Sequence, residues 1–142
     1  MIPEEIKKRI DNVEYRSSGT NCAGTALYVA GLISKDMAMS PGSGIDYYLL
    51  MLSMSDEPIE GGLFAIRKKD GTVGHMGVVF CLEQEVCVFH RRGSAGYTRI
   101  ETLDSATAGY DDGAWDIEFY KPEIMRKEEA LRNFAYSLIT RK

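Results

Sequence analysis

The stretch Asn21-Cys22-Ala23-Gly24-Thr25-Ala26-Leu27-Tyr28-Val29-Ala30-Gly31-Leu32-Ile33 has almost no polar face. A helix with so little polarity must be buried, so the rest of the chain has to be wrapped around it. Asn21 or Thr20 is suited to cap its start, and Gly24 permits close packing. Cys22 therefore falls in the first helical turn. A chain of 142 residues can bury such a helix without disulfides or a structural metal, and one domain over residues 1–142 is expected.

The flanking segments supply the remaining layers. Pro3, Glu4 and Glu5 suit a helix start and Lys7 to Arg9 its end, with Ile6, Ile10 and Val13 as the apolar stripe. Ser43 and Asp46 resemble a capping box, and Ile45, Leu49 and Leu52 continue as a peripheral helix until Asp56-Glu57-Pro58. From Gly61 onward, β-prone runs follow one another at Leu63–Arg67, Gly74–Leu82, Val86–His90, Tyr97–Leu103 and Trp115–Tyr120, separated by polar or glycine-rich turns. Lys121-Pro122 is expected to end the last run before a C-terminal helix carrying Leu131, Phe134, Ala135 and Leu138. Helices, then consecutive strands that favour an antiparallel sheet, then a closing helix: this order specifies an α+β class.

A net charge of −4 argues against nucleic acid as a partner, because phosphate-binding surfaces carry a basic excess. No apolar run is long enough to span a bilayer. The N-terminus lacks the pattern of a signal peptide, so the chain as encoded reads as cytoplasmic; a trimmed signal or another export route would alter that. The three cysteines show neither metal spacing nor a disulfide framework. Arg67, Lys68, Lys69, Arg91 and Arg92 would form a basic patch if they converged, although charge runs are usually solvated turns.

A cysteine at a helix N-terminus meets unpaired N–H groups and the positive end of the helix dipole, which favour thiolate over thiol. Cys22 is thus the candidate nucleophile, with a lowered pKa expected there and raised values at Cys81 and Cys87 in apolar strands. The same amides are placed to donate to an oxyanion. A buried, inert cysteine is the commoner role in such a helix, so further residues must decide. His75 and His90 are the only histidines and lie on the two arms of a hairpin that turns near Glu83–Glu85. A two- or four-residue loop puts both on one face with Val79 and Val88 and separates Cys81 from Cys87; a three-residue loop does the reverse. The first arrangement gives both histidines work and is preferred. Zinc held by Cys22, His75 and His90 would lack close ligand spacing.

In this order the segments resemble NlpC-type cysteine peptidases, the papain-like superfamily that includes many peptidoglycan hydrolases. Tyr15, a short glycine-containing loop and Asn21-Cys22-Ala23-Gly24 are similar to that family's Tyr, loop, Asp-Cys-Ser-Gly signature. Gly61-Gly62-Leu63-Phe64-Ala65 resembles its Gly-Asp-Leu strand, Gly74-His75-Met76-Gly77-Val78-Val79 its His-Val-Gly-Ile strand, and Phe89-His90 the position of its third polar residue. The resemblance implies a papain-like fold with the cysteine helix packed on an antiparallel sheet. It implies Cys22 as nucleophile, His75 as base, His90 as the residue that orients the base, and Tyr15, Asn21 and Ala23 as substrate-binding positions. Asn21, Ala23 and Gly62 depart from the family's Asp, Ser and Asp, so the chemistry transfers better than the substrate.

The expected activity is hydrolysis of a peptide or amide bond through a thioester, most naturally in a peptidoglycan stem peptide, with no cofactor and no metal. Acyl transfer, deamidation or isopeptidase chemistry on the same scaffold is the first alternative, and a catalytically silent binding module the second. A protein inhibitor would be compatible with any of these, and nothing in the sequence identifies one.

Overall fold

The computed structural model describes residues 4–40, 43–92, 96–110, 113–124 and 139. It is α+β, with helices α1 (Glu4–Asn12), α2 (Cys22–Val29), α3 (Ser43–Leu49) and α4 (Leu103–Thr107) around strands β1 (Leu52–Ser55), β2 (Leu63–Lys68), β3 (Val73–Leu82), β4 (Glu85–Arg91), β5 (Thr98–Thr102) and β6 (Trp115–Ile124). A 3₁₀ turn, Ala108–Tyr110, extends α4. The strands form one antiparallel sheet in the order β1-β6-β2-β3-β4-β5. No helix among the described residues is long and apolar enough to cross a membrane.

The apolar segment becomes α2, and Ala26, Leu27 and Val29 are buried to within 1 % of full exclusion. They pack with Met76, Val78, Phe80, Cys87 and Phe89 on one face of the sheet. The other face carries a smaller cluster of Phe64, Ile66, Val79 and Val88 beneath Ala106 of α4. From His75 onward, beyond the register shift opposite Ile66 and Arg67, alternation along β3 sends even-numbered side chains toward α2 and odd-numbered ones toward α4.

Several boundaries differ from expectation. Leu52 leaves the α3 stripe and enters the edge strand β1, while Ile45 and Leu49 make α3 part of the main core rather than a peripheral helix. The strand β6 runs through Pro122 to Ile124, where Pro is tolerated because the β1–β6 register shifts between Leu52 and Met54 and β2 pairs no further than Tyr120. Leu103 starts α4 instead of ending β5, with Thr102 Oγ1 capping the Ser105 amide at 3.1 Å. The expected C-terminal helix falls mostly outside the described residues.

Two glycines are required by close packing. A Cβ at Gly24 would lie 1.7 Å from the Met37 carbonyl oxygen, so the loop after α2 closes over the helix only because Gly24 has no side chain. At Gly77 a Cβ would meet Phe64 Cε1 at 2.4 Å and His90 Cβ at 2.9 Å, both buried. Gly77→Ala is expected to lower stability by about 1–3 kcal/mol through overpacking, whereas Gly44→Ala, which meets nothing within 4 Å in α3, should be neutral or stabilise by up to about 1 kcal/mol. Urea midpoints of the two variants check the contrast; equal midpoints would mean that the Gly77 site relaxes freely.

Candidate active site

The β3–β4 hairpin turns on Glu83 and Gln84, both at positive φ (52° and 69°) as a type I′ turn requires. Leu82 pairs with Glu85 and Val79 with Val88, the two-residue register. His75 and His90 accordingly share a face, and Cys81 and Cys87 point to opposite faces as free thiols. Cys81 is exposed, contrary to the expectation of a buried thiol in an apolar strand, because it faces away from the α2 core near the hairpin tip. Cys87 is buried, and burial raises its pKa.

His75 Nε2 lies 2.6 Å from His90 Nδ1, with the rings edge to face. His90 Nε2 continues to Glu101 Oε2 at 2.7 Å, and Ser105 Oγ donates to Glu101 Oε1 at 2.7 Å. Arg92 and Arg99 approach the same carboxylate at 3.6 and 3.9 Å. Tyr110 stacks parallel to His75 with centroids 6.3 Å apart, and Phe64 flanks both imidazoles. His75, His90, Arg92, Ser105 and Tyr110 line a hollow of about 450 Å³. Glu101 is absent from the sequence-based candidates. It belongs to a run read only as a strand, and its meaning depends on the β4–β5 register that sets it opposite Val88.

Cys22 opens α2. Asn21 caps the helix: its Oδ1 accepts from Gly24 N–H at 2.9 Å and Met39 N–H at 3.2 Å, and its Nδ2 donates to the Met39 carbonyl at 2.8 Å. The amides of Cys22, Ala23 and Met76 each favour the thiolate form of Cys22. That third donor has a structural origin. Val79 bonds Gly61 and Gly62 on the β2 side, so alternate residues of β3 turn their N–H toward β4. The β3–β4 ladder ends at Val78↔Phe89, and the Met76 amide lies beyond it, near enough to Sγ to favour the thiolate.

Cys22, at the start of α2, and the imidazoles of β3 and β4 therefore have no direct bond. Cys22 reaches the sheet from the α2 side, whereas His75 and His90 emerge on the α4 side. Among the described residues no hydrogen bond joins Sγ to either ring. Burial outweighs the three amides and raises the Cys22 pKa, the opposite of the lowering expected from a helix terminus alone. Burial, with the like charges of His90 and Arg92, lowers His75 to about 4; burial also lowers His90, partly offset by the hydrogen bond to Glu101. Burial alone would raise Glu101, but its hydrogen bonds to Ser105 and His90 and the charge of Arg92 hold it near 2.

The remaining candidates are placed as follows. Ala23 is 3 % exposed and packs in the core, so it has only its amide to offer a ligand; the side chain of Asn21 is committed to the cap. Tyr15 is 62 % exposed, stacks on Tyr97 at 5.6 Å and does not line the hollow beside the imidazoles. The basic patch does not form. Arg67 is buried against Glu118 and Asp46, Arg91 is fully buried, Lys69 pairs with Asp116, and Lys68 lies over Trp115. At Gly62 a Cβ would lie 2.2 Å from the Tyr120 carbonyl oxygen, so only glycine fits there. The chain matches no protein-family model, no curated protein and no solved structure.

Proposed function

We propose that this chain is a cysteine hydrolase that cleaves a peptide or amide bond of bacterial cell-wall peptidoglycan through a thioester on Cys22. The observation that carries the reading is a cysteine opening a buried helix against the strand that bears a buried pair of imidazoles, in which His75 meets His90 through Nε2 at 2.6 Å. This leaves Nδ1 of His75 to act as the base.

The raised thiol and lowered imidazole favour a neutral Cys22–His75 pair over a preformed ion pair. Cys22 and His75 stand on opposite sides of β3, so the mechanism requires substrate binding to bring Sγ and His75 Nδ1 together. The proton then moves during attack: Sγ bonds the substrate carbonyl carbon while its proton passes to His75, and the amides of Cys22 and Ala23 receive the developing oxyanion. His75 returns the proton to the leaving amine, the C–N bond breaks, and water hydrolyses the thioester with His75 again as base. The peptidoglycan assignment rests on the resemblance to NlpC-type peptidases.

Incubation of the purified protein with defined muropeptides, followed by mass analysis, tests the proposal. A mass gain of one water at a single amide bond is expected. Amide-exchanged products with added amines would reassign the protein as an acyltransferase, and release of ammonia alone as a deamidase.

A further inference from the structure

We propose that Glu101 is a positioning residue that sets the direction of hydrogen bonding through His90 and His75 and so makes Nδ1 of His75 the proton acceptor. The inference rests on the acyl-transfer reading of Cys22 and His75 and assigns a residue that reading does not use.

The argument follows from donor and acceptor capacity. A carboxylate only accepts hydrogen bonds. One oxygen of Glu101 is occupied by the Ser105 hydroxyl at 2.7 Å, and the other faces His90 Nε2 at 2.7 Å, so His90 Nε2 must carry a hydrogen. A neutral imidazole has one N–H, which leaves His90 Nδ1 a bare acceptor. His75 Nε2, 2.6 Å away, must then donate to it, and the lone pair of His75 is confined to Nδ1. Reversal would require a second proton on His90, and burial on β4 opposes that charge. When Nδ1 takes the thiol proton, the positive charge on His75 is linked through His90 to a carboxylate that is 10 % exposed.

The groups facing this chain are Ser105 from α4, Tyr110 from the 3₁₀ turn, Phe64 from β2, Arg92 at the end of β4 and Arg99 on β5. The hydrogen bonds from Ser105 and His90, with the charge of Arg92, keep Glu101 ionised, and Phe64 and Tyr110 offer the rings no competing hydrogen bond. Without the carboxylate the imidazolium form loses its stabilisation, so the acid limb of the rate profile moves to lower pH while kcat falls.

Long-range ¹H–¹⁵N NMR on the full chain without substrate decides the tautomers. Nε2–H with bare Nδ1 is expected at both histidines of the wild type. In Glu101→Leu the tautomers should become mixed, with kcat down by about 10- to 100-fold, KM little changed and the acid limb shifted downward. Glu101→Gln retains an oxygen to accept from His90 and should keep the tautomers while losing the charge, with an intermediate kcat. Nδ1–H at His75 in the wild type would overturn the proposal, as would unchanged tautomers and pH profile in Glu101→Leu. Failure to turn over any muropeptide would remove the functional reading alone, since the tautomers are read without turnover.

Discussion

Cys22→Ala is expected to lower turnover to background, a loss on the order of 10⁴-fold or more, because no covalent step remains. His75→Ala should cost about 10²–10⁴-fold, the usual worth of a positioned acid–base group, and both variants should fold, since Cys22 is only partly buried and His75 packs beside Phe64 and Tyr110 without bonding the main chain. His90→Gln should retain measurable activity because the amide oxygen can still accept from His75 Nε2. Burst kinetics and trapping of the acyl-enzyme in wild type and variants measure these effects. A Cys22→Ala variant that hydrolyses muropeptides at the wild-type rate would remove the central claim. Complete loss in His90→Gln would assign His90 a direct part in proton transfer.

The pH dependence of the wild type follows from the same groups. On the proposed mechanism the reacting form has neutral His75 and protonated Cys22. As pH falls through about 4, His75 gains the proton that stops it acting as a base, so kcat/KM should stay level well below 6.5, the ordinary imidazole value, before it drops. An acid limb near 6.5 would mean that His75 is not buried as a neutral base while the enzyme works.

The face of the sheet that carries the histidines was legible, and the reason lies in the period of a strand. Once the hairpin had an even loop, His75, Val79, Val88 and His90 had to share a face, as the Val79↔Val88 pairing shows. The loop itself was ambiguous, because Glu83-Gln84 lacks the Asn or Gly that usually marks positive φ. Burial was harder to read than position. The helix-terminal location of Cys22 was evident from its neighbours, but the direction of its pKa depends on how much protein covers Sγ, and sequence patterns do not report that. Glu101 was hidden for a related reason: an acid in a β-prone run is ordinarily solvated, and only the β4–β5 pairing turns it toward His90. Arg91, read as a surface charge, is the most completely enclosed cation among the described residues, and its partners come from segments distant in sequence.

Asp36→Ala should therefore destabilise the fold by about 3–5 kcal/mol, the cost of leaving a buried charge uncompensated, against a total of roughly 5–15 kcal/mol for a domain. Arg91 Nε donates to Thr25 Oγ1 at 2.8 Å, Nη1 to the Gly96 carbonyl at 2.8 Å, and Nη2 to the Glu14 carbonyl at 2.8 Å and Asp36 Oδ2 at 3.4 Å. Asp36 Oδ1 accepts from Thr25 at 2.8 Å and also from Thr20, so one carboxylate ties the start of α2 to the guanidinium next to His90. Without it the cation remains buried among neutral oxygens, and the two threonine hydroxyls lose an acceptor. Asp36→Asn keeps an oxygen for one threonine and should cost less. Arg91→Met paired with Asp36→Leu removes both charges, and its loss should be smaller than the sum of the single variants because the two share one interaction. Urea unfolding with an unchanged slope measures each value. A loss under about 1 kcal/mol in Asp36→Ala, or strict additivity in the double variant, would show that this network does not anchor the nucleophile helix to the strand bearing His90.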